Sequence, residues 1–167
     1  MSCVYIGVGS NIDRQQYISL GLKLLAEAFG RLTLSSVYQS EAIGFNGPDF
    51  FNLVVAIETE KYLVDLAFFL RQIEYRNGRP ANATRNSGRT LDLDILIYDD
   101  LVGDIEGIQL PRAEILYNAF VLQPLAEIAG ERRHPVEGHT YGELWATFDK
   151  AKQRLRVVSF EGTSQYS

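Results

Sequence analysis

The fold predicted for this 167-residue chain is decided by residues 85–98, RNSGRTLDLDILIY. From Leu91 onward the stretch is apolar and β-branched, without Gly or Pro, which predicts a β-strand. Side chains two apart on a strand point to the same face, so Asp92 and Asp94 should lie side by side. Two adjacent carboxylates repel each other unless a cation lies between them. Mg²⁺ is a suitable partner, because it is commonly held by one or two carboxylates together with phosphate oxygens and waters.

The segment before this strand is rich in arginine. Residues 71–89 contain five arginines, no lysine and one acid, Glu74. A guanidinium group can bind two phosphate oxygens at once. Arginines that lead into a strand with paired aspartates favour phosphoryl-transfer chemistry, in which cations and metal ions neutralise the phosphates. The alternative is a solvated loop of mixed charge, followed by an edge strand with polar outer positions.

Length and composition favour one compact globular domain. We assign it to residues 1–160 and expect residues 161–167 to form a loose tail. The formal net charge of −5 argues against a general binder of nucleic acids or anionic membranes. Neither a signal peptide nor a membrane span is expected, because the first residues lack a charged region followed by a long apolar run.

The cysteine and histidine content predicts neither a disulfide nor a histidine metal site. Cys3 is the sole cysteine, which excludes an internal disulfide and fits a reducing compartment such as the cytoplasm. His134 and His139 flank a loop that contains Pro135, and we expect both to be surface residues.

The order of the predicted elements indicates an α+β fold. Apolar periodicity predicts strands at 3–9, 32–38, 50–58 and 91–98, helices at about 18–29 and 62–75, and C-terminal helices at 119–129 and 141–148. Pro124 is expected to interrupt the third helix near its start, and 156–160 could form a closing strand. Strand, helix, strand, strand, helix, strand is the ferredoxin-like βαββαβ order. The expected architecture is therefore a mainly antiparallel sheet with helices on one face and additional C-terminal helices.

Glycines at the end of the first strand have two interpretations. Gly7-Val8-Gly9 is similar to the start of a dinucleotide-binding fingerprint, but the third glycine is missing, because position 12 is Ile. Close packing of a neighbouring group against the strand is the favoured interpretation.

Several motifs together resemble the 6-hydroxymethyl-7,8-dihydropterin pyrophosphokinase family of folate biosynthesis, along nearly the whole chain. The segments that carry the resemblance are 5–11, 35–38, 48–52, 73–79, 89–95 and 118–129. The Arg-Thr-Leu-Asp-Leu-Asp block at 89–94 is the most specific of them.

The resemblance implies transfer of a diphosphate from ATP to the hydroxymethyl oxygen of the pterin, with release of AMP. It implies two Mg²⁺ ions held by Asp92 and Asp94, which agrees with the charge pattern of the strand. The loop at 78–88 is expected to close over ATP. The residues expected on the ATP side are Glu74, Arg79, Arg85, Arg89 and Arg112, with Arg79 and Arg89 counted among the catalytic residues.

The resemblance also implies a pterin pocket. The heterocycle is expected between the rings of Phe50 and Phe120, with Asn52 hydrogen-bonding its polar edge and backbone groups near Ser40 and Ile43 completing the pocket. The alternatives are ordinary core packing for the two phenylalanines and a strand-edge amide for Asn52.

Departures from the family pattern concentrate on the ATP side. Asn86-Ser87-Gly88 stands where many members have Trp-Gly-Pro, Arg112 replaces a usual histidine, Asn118 replaces a usual arginine, and Arg71 replaces an uncharged polar residue. Arg112 could compensate for one lost cation.

Three hypotheses follow from these patterns. The favoured one is an active pyrophosphokinase that is monomeric and binds small molecules but neither nucleic acid nor membrane. The second is a paralogue that binds pterin with weak or no ATP turnover. The third is an unrelated ferredoxin-like interaction domain such as an RNA binder, which the acidic balance opposes.

Overall fold

A computed structural model describes residues 1–42, 46–78, 88–161, 163 and 166. In chain order the elements are β1 (Ser2–Ser10), α1 (Arg14–Phe29), β2 (Thr33–Leu34), β3 (Val37–Ser40), β4 (Phe50–Thr59), α2 (Leu63–Arg76), β5 (Asp92–Tyr98), β6 (Gly103–Ile105), β7 (Ile108–Leu110), a 3₁₀ turn (Ala113–Leu116), α3 (Ala119–Ala129), α4 (Tyr141–Thr147) and β8 (Arg156–Val158). Among the described residues, no helix is long and apolar enough to cross a membrane.

The main sheet confirms the ferredoxin-like prediction. Its strands run in the order β5-β1-β4-β3-β8, and each neighbouring pair is antiparallel. The first four positions are those of the βαββαβ core, and β8 adds the predicted closing strand. The hairpin of β6 and β7 was not predicted, because its residues are mostly polar and exposed. Its turn depends on the positive φ of Glu106 and Gly107.

The strand predicted at 32–38 is broken in two at a pair of serines. Both β2 and β3 pair with β4, but between them the Ser35 hydroxyl accepts a hydrogen bond from the Val54 N–H at 2.9 Å. The backbone N–H and the hydroxyl of Ser36 donate to the Glu127 carboxylate at 2.9 and 3.0 Å, and the Tyr38 hydroxyl donates to it at 2.6 Å. The continuous strand was therefore wrong, because side-chain acceptors replace the ladder at this point.

Apolar groups cover both faces of the sheet. Leu53 and Val55 of β4 pack in one core with α1 and α2, whereas Val54 packs in a second core with α3 and α4. Alternate residues of β4 therefore face opposite cores, and the strand predicted at 50–58 is confirmed. The expectation of helices on one face holds for α1 and α2 but is wrong for the C-terminal helices, which cover the opposite face.

Helix α3 runs through Pro124 without a break. The expected interruption is wrong, although proline removes one backbone donor. Leu122 and Leu125, on either side of it, are almost completely buried. Their packing against the sheet holds the helix together at this point.

His134 is buried, not on the surface as expected, with 4% of its area exposed. Its Nδ1 accepts hydrogen bonds from the N–H groups of Val136 and Glu137, both at 3.1 Å. The ring therefore organises the loop before α4 and has a structural role.

Candidate active site

The carboxylate pair lies at the start of edge strand β5. Leu93 and Ile95 point into the core beneath α1 and α2. Asp92 and Asp94 alternate with them, so they lie on the opposite face, as predicted. In the antiparallel pairing with β1, Asp92 is opposite Gly9 and Asp94 is opposite Gly7.

The two glycines of β1 separate the aspartates from β4. Gly9 pairs with Asp92 on one side and with Asn52 on the other, so these three residues form one row across the sheet. A Cβ atom on Gly9 would lie 2.8 Å from Asn52 Oδ1, whereas one on Gly7 would meet Leu96 at an ordinary 3.5 Å. The predicted close packing is confirmed at Gly9 but not at Gly7. The Asn52 side chain leans over backbone that has no side chain of its own.

Two groups hold the outer edge of β5. The Leu93 N–H donates to Glu74 Oε2 at 2.8 Å, and the Arg112 N–H donates to the Leu96 carbonyl at 2.9 Å. The Glu74 side chain is 2% exposed and its other oxygen lies 3.6 Å from Arg71 Nε. Glu74 therefore fixes the strand between the two aspartates. This contact was not predicted, although an acid in the last turn of a helix is unfavourable enough to signal a special role.

Among the described residues, Arg112 is the cation beside the Asp94 carboxylate. Burial and the neighbouring Asp92 carboxylate raise the pKa of Asp94 to about 8. Arg112 Nη2 lies 3.7 Å from Asp94 Oδ1 but is closer, at 2.9 Å, to Glu114 Oε1. Arg112 therefore compensates the charge of Asp94 only in part, and Glu114 contributes a further negative charge.

This donor set fits a magnesium ion. Across the ranges that the structure describes, no group of three or more His, Cys, Asp or Glu side chains is arranged to hold a metal ion. Two carboxylates that repel each other are nevertheless a sufficient protein contribution for Mg²⁺, which completes its shell with phosphate oxygens and waters. Asp92 and Asp94 are the residues that would hold it.

A cavity of about 320 Å³ opens beside Asp94. Its walls come from α2, from β7 and from the 3₁₀ turn, and its charged or hydroxyl-bearing lining residues are Arg71, Asp94, Arg112, Glu114 and Tyr117. The volume falls in the usual range for small-molecule sites. Its wall carries two arginines, which can bind phosphate oxygens, and two acids, so an anionic ligand there would need a metal ion to balance the charge.

The backbone at Arg89 is held by Asn11. The Arg89 N–H donates to Asn11 Oδ1 at 2.7 Å, the Asn11 N–H donates to the Arg89 carbonyl at 3.0 Å, and Asn11 Nδ2 donates to the Pro48 carbonyl at 3.1 Å. Asn11 is buried. It joins the segment that enters β5 to the loop that enters β4, a role that its position after a glycine-rich strand end did not reveal.

Two residues predicted to bind the pterin, Ser40 at the end of β3 and Asn52 near the start of β4, are in contact. Asn52 Nδ2 donates to Ser40 Oγ at 2.9 Å, and Ser40 pairs with Phe50 in the sheet. Phe120 lies in the first turn of α3, half-buried against the second core. Ile43, Arg79 and Arg85 lie outside the described residues, so their predicted roles stay predictions.

The fold and site together define a ferredoxin-like α+β protein with a carboxylate pair beside a cavity lined by arginines. The family model for 7,8-dihydro-6-hydroxymethylpterin-pyrophosphokinase matches residues 5–130. The chain belongs to this family.

Two named relatives differ in how much of their own length this chain covers. The chain is 35% identical over 151 residues to the 2-amino-4-hydroxy-6-hydroxymethyldihydropteridine pyrophosphokinase of Pseudomonas aeruginosa, covering 86% of this chain and 90% of that protein. It is 33% identical over 138 residues to the folic acid synthesis protein fol1 of Pneumocystis carinii, covering 81% of this chain but 18% of that protein.

Solved structures share the fold. A crystal structure of an HPPK-DHPS protein in complex with substrates matches 90% of this chain with a TM-score of 0.69 and 13% identity. A triple mutant of Plasmodium falciparum HPPK-DHPS matches 99% with a TM-score of 0.70 and 12% identity. This chain covers 44% and 46% of those two chains.

The raised pKa of Asp94 predicts a pH-dependent stability of the metal-free protein. The folded state binds the Asp94 proton more tightly than the unfolded chain, in which the pKa of this carboxyl group is 3.8. The resulting stabilisation is complete below pH 3.8 and is lost as the pH rises towards 8. In EDTA, we expect Asp94→Asn to raise the melting temperature relative to wild type, and this difference to grow between pH 5 and pH 8.

The matched control is Glu58→Gln, which removes an exposed carboxylate from β4. Its melting-temperature difference from wild type should stay flat over the same pH range. A flat difference for Asp94→Asn as well would contradict the electrostatic description of the pair.

Proposed function

We propose that this chain transfers the diphosphate of ATP to the hydroxymethyl group of 6-hydroxymethyl-7,8-dihydropterin, releasing AMP, in tetrahydrofolate biosynthesis. The named relatives support the reaction. The single structural observation that carries it is the row Asp92, Gly9, Asn52 across β5, β1 and β4. At one end of this row lies a carboxylate pair that is suited to a metal ion and phosphates. At the other end lies an amide that is suited to a heterocycle.

On the ATP side, the cavity beside Asp94 would hold the nucleotide. Arg112 and Arg71 line it and would attract the polyphosphate, while the buried Arg89 begins the segment that enters β5. Two Mg²⁺ ions, when bound at Asp92 and Asp94, would neutralise the diphosphate and polarise the phosphorus under attack. Arg79 and Arg85 are proposed as further phosphate ligands.

On the pterin side, Asn52 would bind the polar edge of the heterocycle. Its amide is fixed by the bond to Ser40 at 2.9 Å, so a donor and an acceptor are presented in one orientation. Phe50 and Phe120 would stack on the two faces of the ring, with backbone near Ile43 completing the pocket. Held in this way, the hydroxymethyl oxygen would attack the β-phosphorus while the bond from that phosphorus to the AMP oxygen breaks.

The proposal extends to the setting of the enzyme. We propose a single domain over residues 1–160 with a tail at 161–167, acting as a monomer in the cytoplasm. The support is the lone Cys3, which suits a reducing compartment, and the acidic balance of the chain.

The experiment that tests the function is product analysis after incubation with ATP and Mg²⁺, with and without the pterin. AMP formed in proportion to pterin diphosphate is the expected result. ADP in place of AMP would contradict diphosphate transfer. Pterin binding without AMP would favour the paralogue that binds pterin with weak or no turnover.

Loss of Asp94 should abolish turnover without unfolding the protein. Asp94→Ala removes one carboxylate of the pair from a partly exposed strand position, and we expect kcat to fall by about 10²–10³-fold or more. Glu58→Gln serves as the control on another strand of the same sheet and should retain full activity. Near-normal, Mg²⁺-dependent turnover by Asp94→Ala would contradict the metal assignment.

A side chain on Gly9 should weaken pterin binding. Gly9→Ala forces the Asn52 carbonyl oxygen away from its position, because the new Cβ would lie 2.8 Å from it. We expect the pterin Kd to rise about tenfold, which corresponds to the loss of about one hydrogen bond. Titration calorimetry measures this, with Gly7→Ala as the control because its Cβ meets Leu96 at ordinary contact distance. Equal pterin affinity in wild type and Gly9→Ala would remove Asn52 from the pocket.

A further inference from the structure

The segment that follows α4 reaches back to the active site through a chain of side-chain hydrogen bonds. Building on the proposed function, we propose that Gln153 is a positioning residue with two separate arms. One arm fixes the start of α3, which carries Phe120. The other acts through Asn118 and Glu114 to hold the Arg112 guanidinium at Asp94.

The first arm caps α3. Asn118 is the N-cap residue of this helix, but its side chain makes no capping hydrogen bond. Instead Gln153 Oε1 accepts a hydrogen bond from the Ala119 N–H at 2.7 Å. Backbone donors in the first turn of a helix need such acceptors. Since Phe120 is the next residue, Gln153 fixes the backbone from which this ring projects.

The second arm runs towards the metal pair. Gln153 Nε2 donates to Asn118 Oδ1 at 3.0 Å, and Asn118 Nδ2 donates to Glu114 Oε2 at 3.0 Å. The Nδ2 donor is directed at Glu114, so the Asn118 oxygen must face a donor on Gln153. The order of donors and acceptors is thereby fixed along the series of hydrogen bonds from Gln153 to Glu114.

Glu114 connects this series of hydrogen bonds to Arg112. Its Oε1 accepts a hydrogen bond from Arg112 Nε at 3.0 Å and lies 2.9 Å from Arg112 Nη2, so the carboxylate binds one edge of the guanidinium. The same Nη2 is 3.7 Å from Asp94 Oδ1. A long arginine side chain normally loses rotamer entropy when a ligand orders it. Here the guanidinium is already ordered at the cavity wall, so binding an anion there costs less.

Two substitutions separate the arms. Gln153→Glu keeps an oxygen that accepts from the Ala119 N–H, and a negative charge is favourable at a helix N-terminus. It cannot donate to Asn118, and two carboxylates then compete for the same Asn118 donor. Gln153→Ala removes both arms. Lys152→Ala is the matched control, because Lys152 is an exposed neighbour in the same turn.

The experiment measures the Kd of a non-hydrolysable ATP analogue with Mg²⁺, the Kd of the pterin, and amide exchange at Ala119. For Gln153→Glu we expect ATP-analogue binding to weaken about five- to tenfold, with pterin binding and Ala119 protection close to wild type. For Gln153→Ala we expect all three to change, and for Lys152→Ala none.

A double-mutant cycle with Arg112→Gln tests whether Gln153 affects ATP-analogue binding through Arg112. In that background, Gln153→Glu should cause no further loss of ATP-analogue affinity. Wild-type affinity in Gln153→Glu, or losses that add in the double variant, would overturn the second arm. Unchanged Ala119 exchange in Gln153→Ala would overturn the first.

Failure of the proposed function gives a different result. The wild-type chain would then bind neither ligand. Amide exchange at Ala119 would still test the first arm, and the NMR signal of the Arg112 Nε–H would still test the second. That signal should be protected from exchange in wild type and Lys152→Ala and should lose protection in Gln153→Glu. Equal protection in all three variants would overturn the role of Gln153.

Discussion

Repulsion between Asp92 and Asp94 is the constraint around which the site is built. Two carboxylates on one face of a strand destabilise it, and β5 has a neighbour on one side only. The protein holds this edge strand through Glu74 and the backbone of Arg112, and it supplies only part of the missing positive charge through the Arg112 guanidinium. The raised pKa of Asp94 and the closeness of the two carboxylates make the pair suited to bind a metal ion.

A second constraint is space on the same face. Gly7 and Gly9 leave the backbone of β1 bare between the aspartates and Asn52. A reaction between two bound molecules needs both to lie over one surface with their reacting atoms close. The C-terminal helices cover the part of that face around Val54, Leu96 and Ile97. Asn11 joins the segments that lead into the two outer strands of this row.

Local patterns in the sequence were enough to predict much of this arrangement. Strand alternation put Asp92 and Asp94 on one face, and the helix repeat gave α2 to within one residue at each end and α1 without its first turn. The ferredoxin-like order followed from the sequence of elements alone.

The features that were missed depend on contacts between distant residues. The break between β2 and β3 needs the Glu127 carboxylate, which lies about 90 residues further along the chain. The contacts from Asp94 to Arg112, and from Arg112 through Glu114 and Asn118 to Gln153, join three separate segments. Polar residues in loops carry no periodic signal, so their partners are decided only when the apolar elements have packed.

The most direct test of the central claim is to count bound metal ions at the carboxylate pair. Mn²⁺ can replace Mg²⁺ at such oxygen-rich sites and is detected by electron paramagnetic resonance. With a non-hydrolysable ATP analogue present, wild-type protein should bind Mn²⁺, and a double variant with Asp92→Asn and Asp94→Asn should bind none beyond that held by the nucleotide alone. Equal Mn²⁺ binding by the two proteins would contradict the assignment of the pair as the metal site.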